Sequence, residues 1–241
     1  MKAKISFLAL IYLTFVSLLV LPGLAGTWSD GFEDGNLDGW GMIDPIPREK
    51  WGVEDGECSG QYTPAAPGTY SPLELKVENA ASWKDYTITL KAKLVESFGR
   101  AGGGFCTFGI TFRMPPGRIM ATYQAFIDPE SNEVDFYEGA RKISVVPLPF
   151  DILEDTWYEL KVIAEGEHFE FYINDELMGS FDDDSYPSGG IELGVSNTHV
   201  HFDDVVITGP EIPDGGPGGV RMSVHQENTL ITTWGTLKQK P

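Results

Sequence analysis

The run Asp85-Tyr86-Thr87-Ile88-Thr89-Leu90-Lys91-Ala92-Lys93-Leu94 places apolar side chains at 86, 88, 90, 92 and 94 and polar ones at 87, 89, 91 and 93. A period of two marks a strand with one face on a core and the other toward water, because successive side chains of extended backbone leave opposite faces. Similar runs cover Phe105 to Arg113, Met120 to Ile127, Glu133 to Tyr137, Trp157 to Ala164, His168 to Ile173, Gly190 to Val195 and Val200 to Thr208. Turn-forming segments such as Asp128-Pro129-Glu130-Ser131-Asn132 and Glu165-Gly166-Glu167 separate them. Helical periodicity is nearly absent, so the expected class is all-β, an antiparallel two-sheet sandwich from Gly26 to Gly209.

Both flanks of that domain read differently. Lys2 and Lys4 precede an apolar run from Ile5 to Leu21, and Gly23-Leu24-Ala25 offers a small-x-small cleavage site, so residues 1–25 read as a secretory signal peptide. The rival reading is a retained membrane anchor, which the length of the run only marginally allows. After Thr208, residues 210–219 (Pro-Glu-Ile-Pro-Asp-Gly-Gly-Pro-Gly-Gly) read as a linker that holds no regular structure. Residues 220–241 form a short coda, a possible hairpin with Trp234 as its apolar contact, isolated from the core by that linker.

Charge narrows the partners. With 36 acidic against 17 basic residues and a net charge of -19, the chain lacks the cations that displace counterions from a phosphate backbone, so nucleic acid is excluded as a partner. Export makes Cys58 and Cys106, the only two cysteines, a candidate disulfide, with two buried thiols as the equal alternative. No Ser nucleophile elbow, phosphate loop or zinc-binding helix is present. His199 and His201, on one strand face, read as structural or surface groups, and Asp182-Asp183-Asp184 as a solvated loop.

Two stretches carry a resemblance. Asp30-Gly31-Phe32-Glu33-Asp34-Gly35-Asn36-Leu37-Asp38-Gly39-Trp40 and Trp51-Gly52-Val53-Glu54-Asp55-Gly56-Glu57 resemble the opening of concanavalin A-like lectin/glucanase jelly rolls, including laminin G-like and 3-keto-disaccharide hydrolase-type domains. Thr156 to Val162, Phe171 to Leu177, Gly190 to Gly194 and Phe202-Asp203-Asp204-Val205 resemble that superfamily's later strands in order. The resemblance implies a jelly roll and a sugar-related, extracytoplasmic role, secreted or in the cell envelope. Its motifs specify fold better than function, since one such fold hosts lectins, hydrolases and inert spacers.

Three functions follow as expectations: a carbohydrate-recognition or adhesion module with a polysaccharide, glycan or cell-surface partner, a retaining glycoside hydrolase, and a structural protein-protein surface module. Pyranose CH faces stack on rings while hydroxyls take directional hydrogen bonds, so binding needs exposed aromatics beside polar groups. Strand alternation offers Arg113, Tyr123, Glu133, Asp135, Tyr137 and Tyr172 for that task, and places Trp40, Trp51 and Trp157 in the core, with Trp83 open to either role. For hydrolysis, Glu133-Val134-Asp135-Phe136-Tyr137-Glu138 resembles the catalytic strand of glycoside hydrolase family 16, which would make Glu133 the nucleophile, Glu138 the acid/base and Asp135 the group between them. In an unbroken strand Glu138 faces away from Glu133 and Asp135, so this reading requires a bulge near Phe136 or Tyr137. Pairing of the first and last strands would bring Asp30, Glu33 and Asp34 near Asp203 and Asp204, an oxygen-rich set suited to a structural calcium ion.

Overall fold

The computed structural model describes residues 25–218 apart from 43–48, 64–68, 101–103 and 116–120. The expected leader, but for Ala25, and the coda of 220–241 lie outside the described residues. Among the described residues, no helix is long and apolar enough to cross a membrane.

One sheet holds β1 (Gly26–Asp30), β3 (Glu49–Glu54), β4 (Glu57–Tyr62), β6 (Tyr86–Ser97), β11 (Trp157–Glu165), β12 (His168–Ile173), β13 (Glu176–Asp182), β15 (Thr198–Gly209) and β16 (Gly215–Gly218). The other holds β2 (Trp40–Gly41), β5 (Ser71–Leu75), β7 (Thr107–Met114), β8 (Tyr123–Asp128), β9 (Glu133–Glu138), β10 (Arg141–Pro147) and β14 (Gly190–Ser196). Strand order is β13-β12-β11-β6-β15-β1-β16 in the nine-stranded sheet, with the β3-β4 hairpin attached through β4 to β15. In the seven-stranded sheet it is β10-β9-β8-β7-β14-β5-β2. The class is the expected antiparallel jelly-roll sandwich.

Inward phases of the two sheets meet in one core. On β6 the residues Tyr86, Ile88, Leu90, Ala92 and Leu94 are buried and the intervening ones partly exposed. Phe112 and Tyr123 of the seven-stranded sheet meet Phe169 of the other at ring separations of 5.5 and 4.6 Å. Each such fully buried side chain contributes about 1.5–3 kcal/mol relative to an exposed one. The first and last strands of the expected domain pair as expected, with β1 antiparallel to β15 from Gly26 opposite Gly209 to Asp30 opposite Val205.

Two expectations are corrected here, and the open alternative for the cysteines is decided. The Gly/Pro-rich stretch after Pro210 is not free of regular structure: β16 lies parallel to β1, Ile212 is buried in the core, and Gly31 N donates to Gly218 O at 2.7 Å. Gly216, at φ 91°, allows this because an added Cβ would strike the Ser29 backbone. Such a glycine strand carries no side-chain period by which a sequence could announce it. Trp157 lies on the outward phase of β11, whose buried residues are Tyr158, Leu160, Val162 and Ala164, and Lys93 Nζ sits 4.5 Å from its ring centre. Trp40 and Trp83 are buried and Trp51 is packed against the core. Cys58 and Cys106 are free buried thiols rather than a disulfide. They belong to different surroundings: Cys58 opposes Phe202 across β4 and β15, while Cys106 contacts the Ser97 hydroxyl and the Asn197 carbonyl.

Candidate functional site

Alternation fails on the seven-stranded sheet. Every residue of β7, β8 and β14 is buried, on the outer face as well as the inner. Register sets Glu192, Thr111, Gln124, Tyr137 and Lys142 in one outward row across the sheet. Gly194, Gly109, Phe126 and Asp135 form the next row, followed by the pairs Ser196–Thr107 and Asp128–Glu133.

Two glycines make the floor. A Cβ added at Gly109 or Gly194 would meet the Phe126 ring at 2.8 or 3.0 Å, so that ring lies down across both strands. Tyr70 stands edge-on to Phe126 with centroids 5.5 Å apart, and Phe105 stands edge-on to Tyr137 at 6.1 Å. Tyr70, Phe105, Phe126 and Tyr137, with Thr107 and Gln124 as polar groups, line a pocket of about 190 Å³. A wider depression of about 500 Å³ beside Glu74 to Ala81, Met114 and Gly190 carries no ring, so it lacks a stacking surface for a sugar.

Carboxylates flank this pocket. Asp135 is fully buried; its Oδ2 accepts from Lys142 Nζ at 2.6 Å and from the Tyr137 hydroxyl at 3.4 Å, while Oδ1 is buried without a partner. Burial and then the Asp135 charge push the Tyr137 hydroxyl's pKa up. Asp128 accepts from the backbone N–H of Glu130 and Ser131 at 3.0 Å each and from Arg100 at 2.7 Å, yet burial outweighs these bonds and raises its pKa. Behind Tyr70, Glu192 accepts a hydrogen bond from that residue's hydroxyl at 3.2 Å; its burial, reinforced by Glu74, lifts its pKa to about 7 against the opposing effects of Tyr70 and Lys76. A carboxyl group that titrates near neutrality can hold or release a proton in the working range.

The structure brings together three of the six expected ligand residues, Glu133, Asp135 and Tyr137, on this outer face. Arg113 is not exposed: a shift in the β14–β7 register accompanies its left-handed backbone, φ 55°, and its guanidinium donates to the carbonyls of Gly166 and Pro187 at 3.0 and 2.7 Å. Tyr123 is a core residue whose hydroxyl bonds Asp183. Tyr172 lies on β12 of the other sheet, its hydroxyl donating to Glu170 at 2.7 Å.

The hydrolase geometry is not formed. β9 runs in unbroken register with β8, and the irregularity lies in β10 between Lys142 and Ser144. Glu138 therefore shares the phase of Val134 and Phe136, opposite Glu133, and its oxygens engage Arg141 and the Ser185 hydroxyl. A nucleophile and an acid/base must flank one glycosidic bond, so this pair does not carry retaining hydrolysis.

The five acidic residues at the strand ends are spread over separate tasks. Asp30 accepts from Phe32 N at 2.8 Å and Trp40 Nε1 at 2.9 Å, and Asp34 accepts from Asn36 N. Glu33 lies over the Gly56 turn. Asp203, raised to about 6 chiefly by burial, accepts from Asp204 N, and Asp204 pairs with Lys91 at 2.6 Å. Among the described residues, the sets of three or more His, Cys and carboxylate groups whose ligand atoms converge within 4.8 Å are Asp128 with Glu133 and Asp135, and Glu54 with His199 and His201.

Tyr70, Phe105, Gln124, Phe126 and Glu192 were absent from the expected set. Gly109, Gly194 and Phe126 at outward phase in apolar strands were the available signal for a covered outer face. Tyr70 precedes β5 in a stretch with no periodicity, and nothing in the sequence points to it.

Residues 27–208 match the 3-keto-alpha-glucoside-1,2-lyase-like domain. The chain belongs to that family. No curated protein matches it in sequence. Among solved structures, this family domain is similar to the carbohydrate binding module CBM66 from Bacillus subtilis, at 22% identity and a TM-score of 0.57, covering 71% of this chain and 96% of that one. It is also similar to the Bacillus licheniformis beta-glucanase, at 10% identity and a TM-score of 0.54, with 76% and 98% covered. A Bacillus subtilis protein of unknown function with a galectin-like fold matches at 11% identity and a TM-score of 0.52, covering 78% and 96%. At these identities the likeness establishes the concanavalin A-like fold.

Proposed function

We propose that the chain is an exported glycan-recognition module that holds one sugar unit in the pocket over Phe126. The observation that carries this reading is the Phe126 ring laid flat over Gly109 and Gly194, with Tyr70 and Tyr137 beside it and Thr107 and Gln124 within the same pocket. Rings receive the apolar CH face of a pyranose while hydroxyls and the amide take its hydroxyl groups. Drug-sized sites run to about 300–1,000 Å³, so the smaller volume suits a chain end or a single unit rather than a long run of sugars. The test is a glycan array probed with the chain and with Tyr137→Ala. Binding that is selective and lost in the variant is expected; selective binding that survives in the variant would move the site elsewhere.

A second reading is elimination on a 3-keto-glucoside, supported by the family match and by Glu192. A carbonyl at C3 acidifies the proton on C2; a carboxylate base takes that proton, the C1–C2 double bond forms, and the C1–O bond breaks to release the alcohol after protonation. Glu192, with a pKa of about 7, is buried behind Tyr70 and does not itself line the pocket, so it would take that proton through the Tyr70 hydroxyl that donates to it and return one to the leaving oxygen by the same route. Incubation with a 3-keto-glucoside, followed by the ultraviolet absorbance of the conjugated enone, separates the readings. Turnover abolished by Glu192→Gln would establish the lyase, and binding without turnover the recognition module.

A further inference from the structure

We propose that His199, His201 and Glu54 form a binding site for a zinc-like divalent transition ion on the outer face of the nine-stranded sheet. Two positions apart on β15, the imidazoles leave the same face, with ring centroids 5.1 Å apart. His199 and His201 oppose Gln61 and Ser59 of β4, and β4 pairs with β3, whose last residue is Glu54. The hairpin thus folds the Glu54 carboxylate onto the histidine pair. One donor atom from each residue lies within 4.8 Å of the others. Rotation of Glu54, 62% exposed, can draw this set in to metal bonds of about 2.0–2.2 Å.

The imidazole of His201 is already set for the task. Its Nδ1 lies 2.6 Å from Glu57 Oε2, which holds the ring proton there, and Lys93 fixes the same oxygen at 2.8 Å. The other nitrogen, Nε2, is then the lone-pair nitrogen, and it is buried without a hydrogen-bond partner. A carboxylate behind a histidine is the usual arrangement that orients a metal-binding ring and makes it more basic. His199 has its own support, with Nε2 2.9 Å from the Ser59 hydroxyl.

Donor chemistry selects the ion. Calcium and magnesium take oxygen ligands, whereas two imidazoles and one carboxylate suit zinc, nickel or cobalt with water completing the shell. A net charge of -19 also enriches cations at the surface. The consequence is mechanical: among the described residues β3 reaches the sheet only through β4, and an ion between Glu54 and the histidines ties that hairpin to β15.

Zinc chloride titrated into the full chain, followed by calorimetry and thermal melting, tests this. One site per chain with micromolar or tighter affinity is expected, and a rise in Tm of about 5–10 °C with zinc near a hundred times Kd. His199→Ala, His201→Ala and Glu54→Ala each lose at least about tenfold in affinity, and Glu57→Gln about tenfold through the ring it holds. His168→Ala and His225→Ala, the other two of the four histidines, retain full binding. Should a histidine variant fail to fold, Glu54→Ala on the exposed hairpin end decides. Absence of heat and of a Tm shift with zinc, nickel and cobalt would overturn the site, as would undiminished binding in Glu54→Ala and in whichever histidine variants fold.

Discussion

The outer faces of the two sheets obey different rules. On the nine-stranded sheet, Thr87, Thr89, Lys91 and Lys93 alternate with buried neighbours, and the long side chains satisfy each other, as in Lys161–Asp175 at 2.5 Å and Lys161 over the Tyr172 ring at 4.7 Å. On the seven-stranded sheet the outward positions hold glycines, rings and carboxyl groups among hydroxyl and amide side chains, all buried on β7, β8 and β14, and one oxygen of Asp135 has no hydrogen-bond partner. A strand that keeps its period reports a solvated face; a strand that loses it by placing Gly, Phe and a carboxylate outward reports a face built for something else. Buried polar groups are expensive unless paired, so a face that keeps several of them is the one to examine for function.

The largest effect expected concerns the edge of the nine-stranded sheet. Truncation after Pro210 removes Ile212 from the core, the Asp214 carboxylate that accepts from Thr27 N at 2.9 Å, and β16 itself. Loss of a buried Ile side chain alone costs about 2–5 kcal/mol. Urea unfolding of the chain ended at Pro210 should show at least that loss, and unchanged stability would mean that β16 is only laid against the sheet.

Next in size is the pH dependence of the covered face. Glu192 is raised from 4.5 to about 7 in the fold, so between those values the folded chain binds more protons than the unfolded one and stability falls as pH rises. A gap of that width amounts to about 3 kcal/mol of destabilisation above pH 7. Glu192→Gln should therefore gain up to about 3 kcal/mol at pH 8 and little at pH 4, where both states are protonated. An equal gain at both pH values would show that the carboxylate's charge is not what the fold pays for.

Glycines separate the faces at a smaller scale. Gly194→Ala drives a methyl against the Phe126 and Tyr70 rings at 3.0 and 3.1 Å, and overpacking of this kind costs about 1–3 kcal/mol. Gly52→Ala on the other sheet meets nothing within 4 Å, and should change stability by no more than about 0.5 kcal/mol. Equal costs in paired melting curves would deny the floor of the pocket its packing role.

What the sequence made legible follows the same division. Strict alternation gave β6, β11, β12 and β15 of the nine-stranded sheet and, Trp157 apart, their core residues, since Tyr86 to Leu94 can be read only one way. Glu133, Asp135 and Tyr137 were found because they alternate with Val134 and Phe136. Arg113 and Tyr123 misled for local reasons: the backbone of Arg113 turns left-handed and the sheet register shifts there, and Tyr123 belongs to the core phase of β8. Partners that lie far apart in the chain, such as Tyr70 on Glu192 or Glu54 beside His199 and His201, depend on strand order, which no local pattern carries.

The smallest expected effect is the sharpest test of where a sugar sits. Among the described residues, Trp157 and Tyr172 are the Trp and Tyr side chains that the nine-stranded sheet turns outward, and each already has a cation over its ring, Lys93 at 4.5 Å and Lys161 at 4.7 Å. A cation over a ring occupies the face that a pyranose would need, and at exposed sites it contributes about 0.5–1 kcal/mol. Trp157→Ala should therefore cost no more than about 1 kcal/mol of stability, and neither it nor Tyr172→Ala should change retention in glycan affinity electrophoresis. Tyr137→Ala should abolish retention, because its ring and the hydroxyl bonded to Asp135 both border the pocket. Retention lost in Trp157→Ala and kept in Tyr137→Ala would reverse the assignment of the two faces.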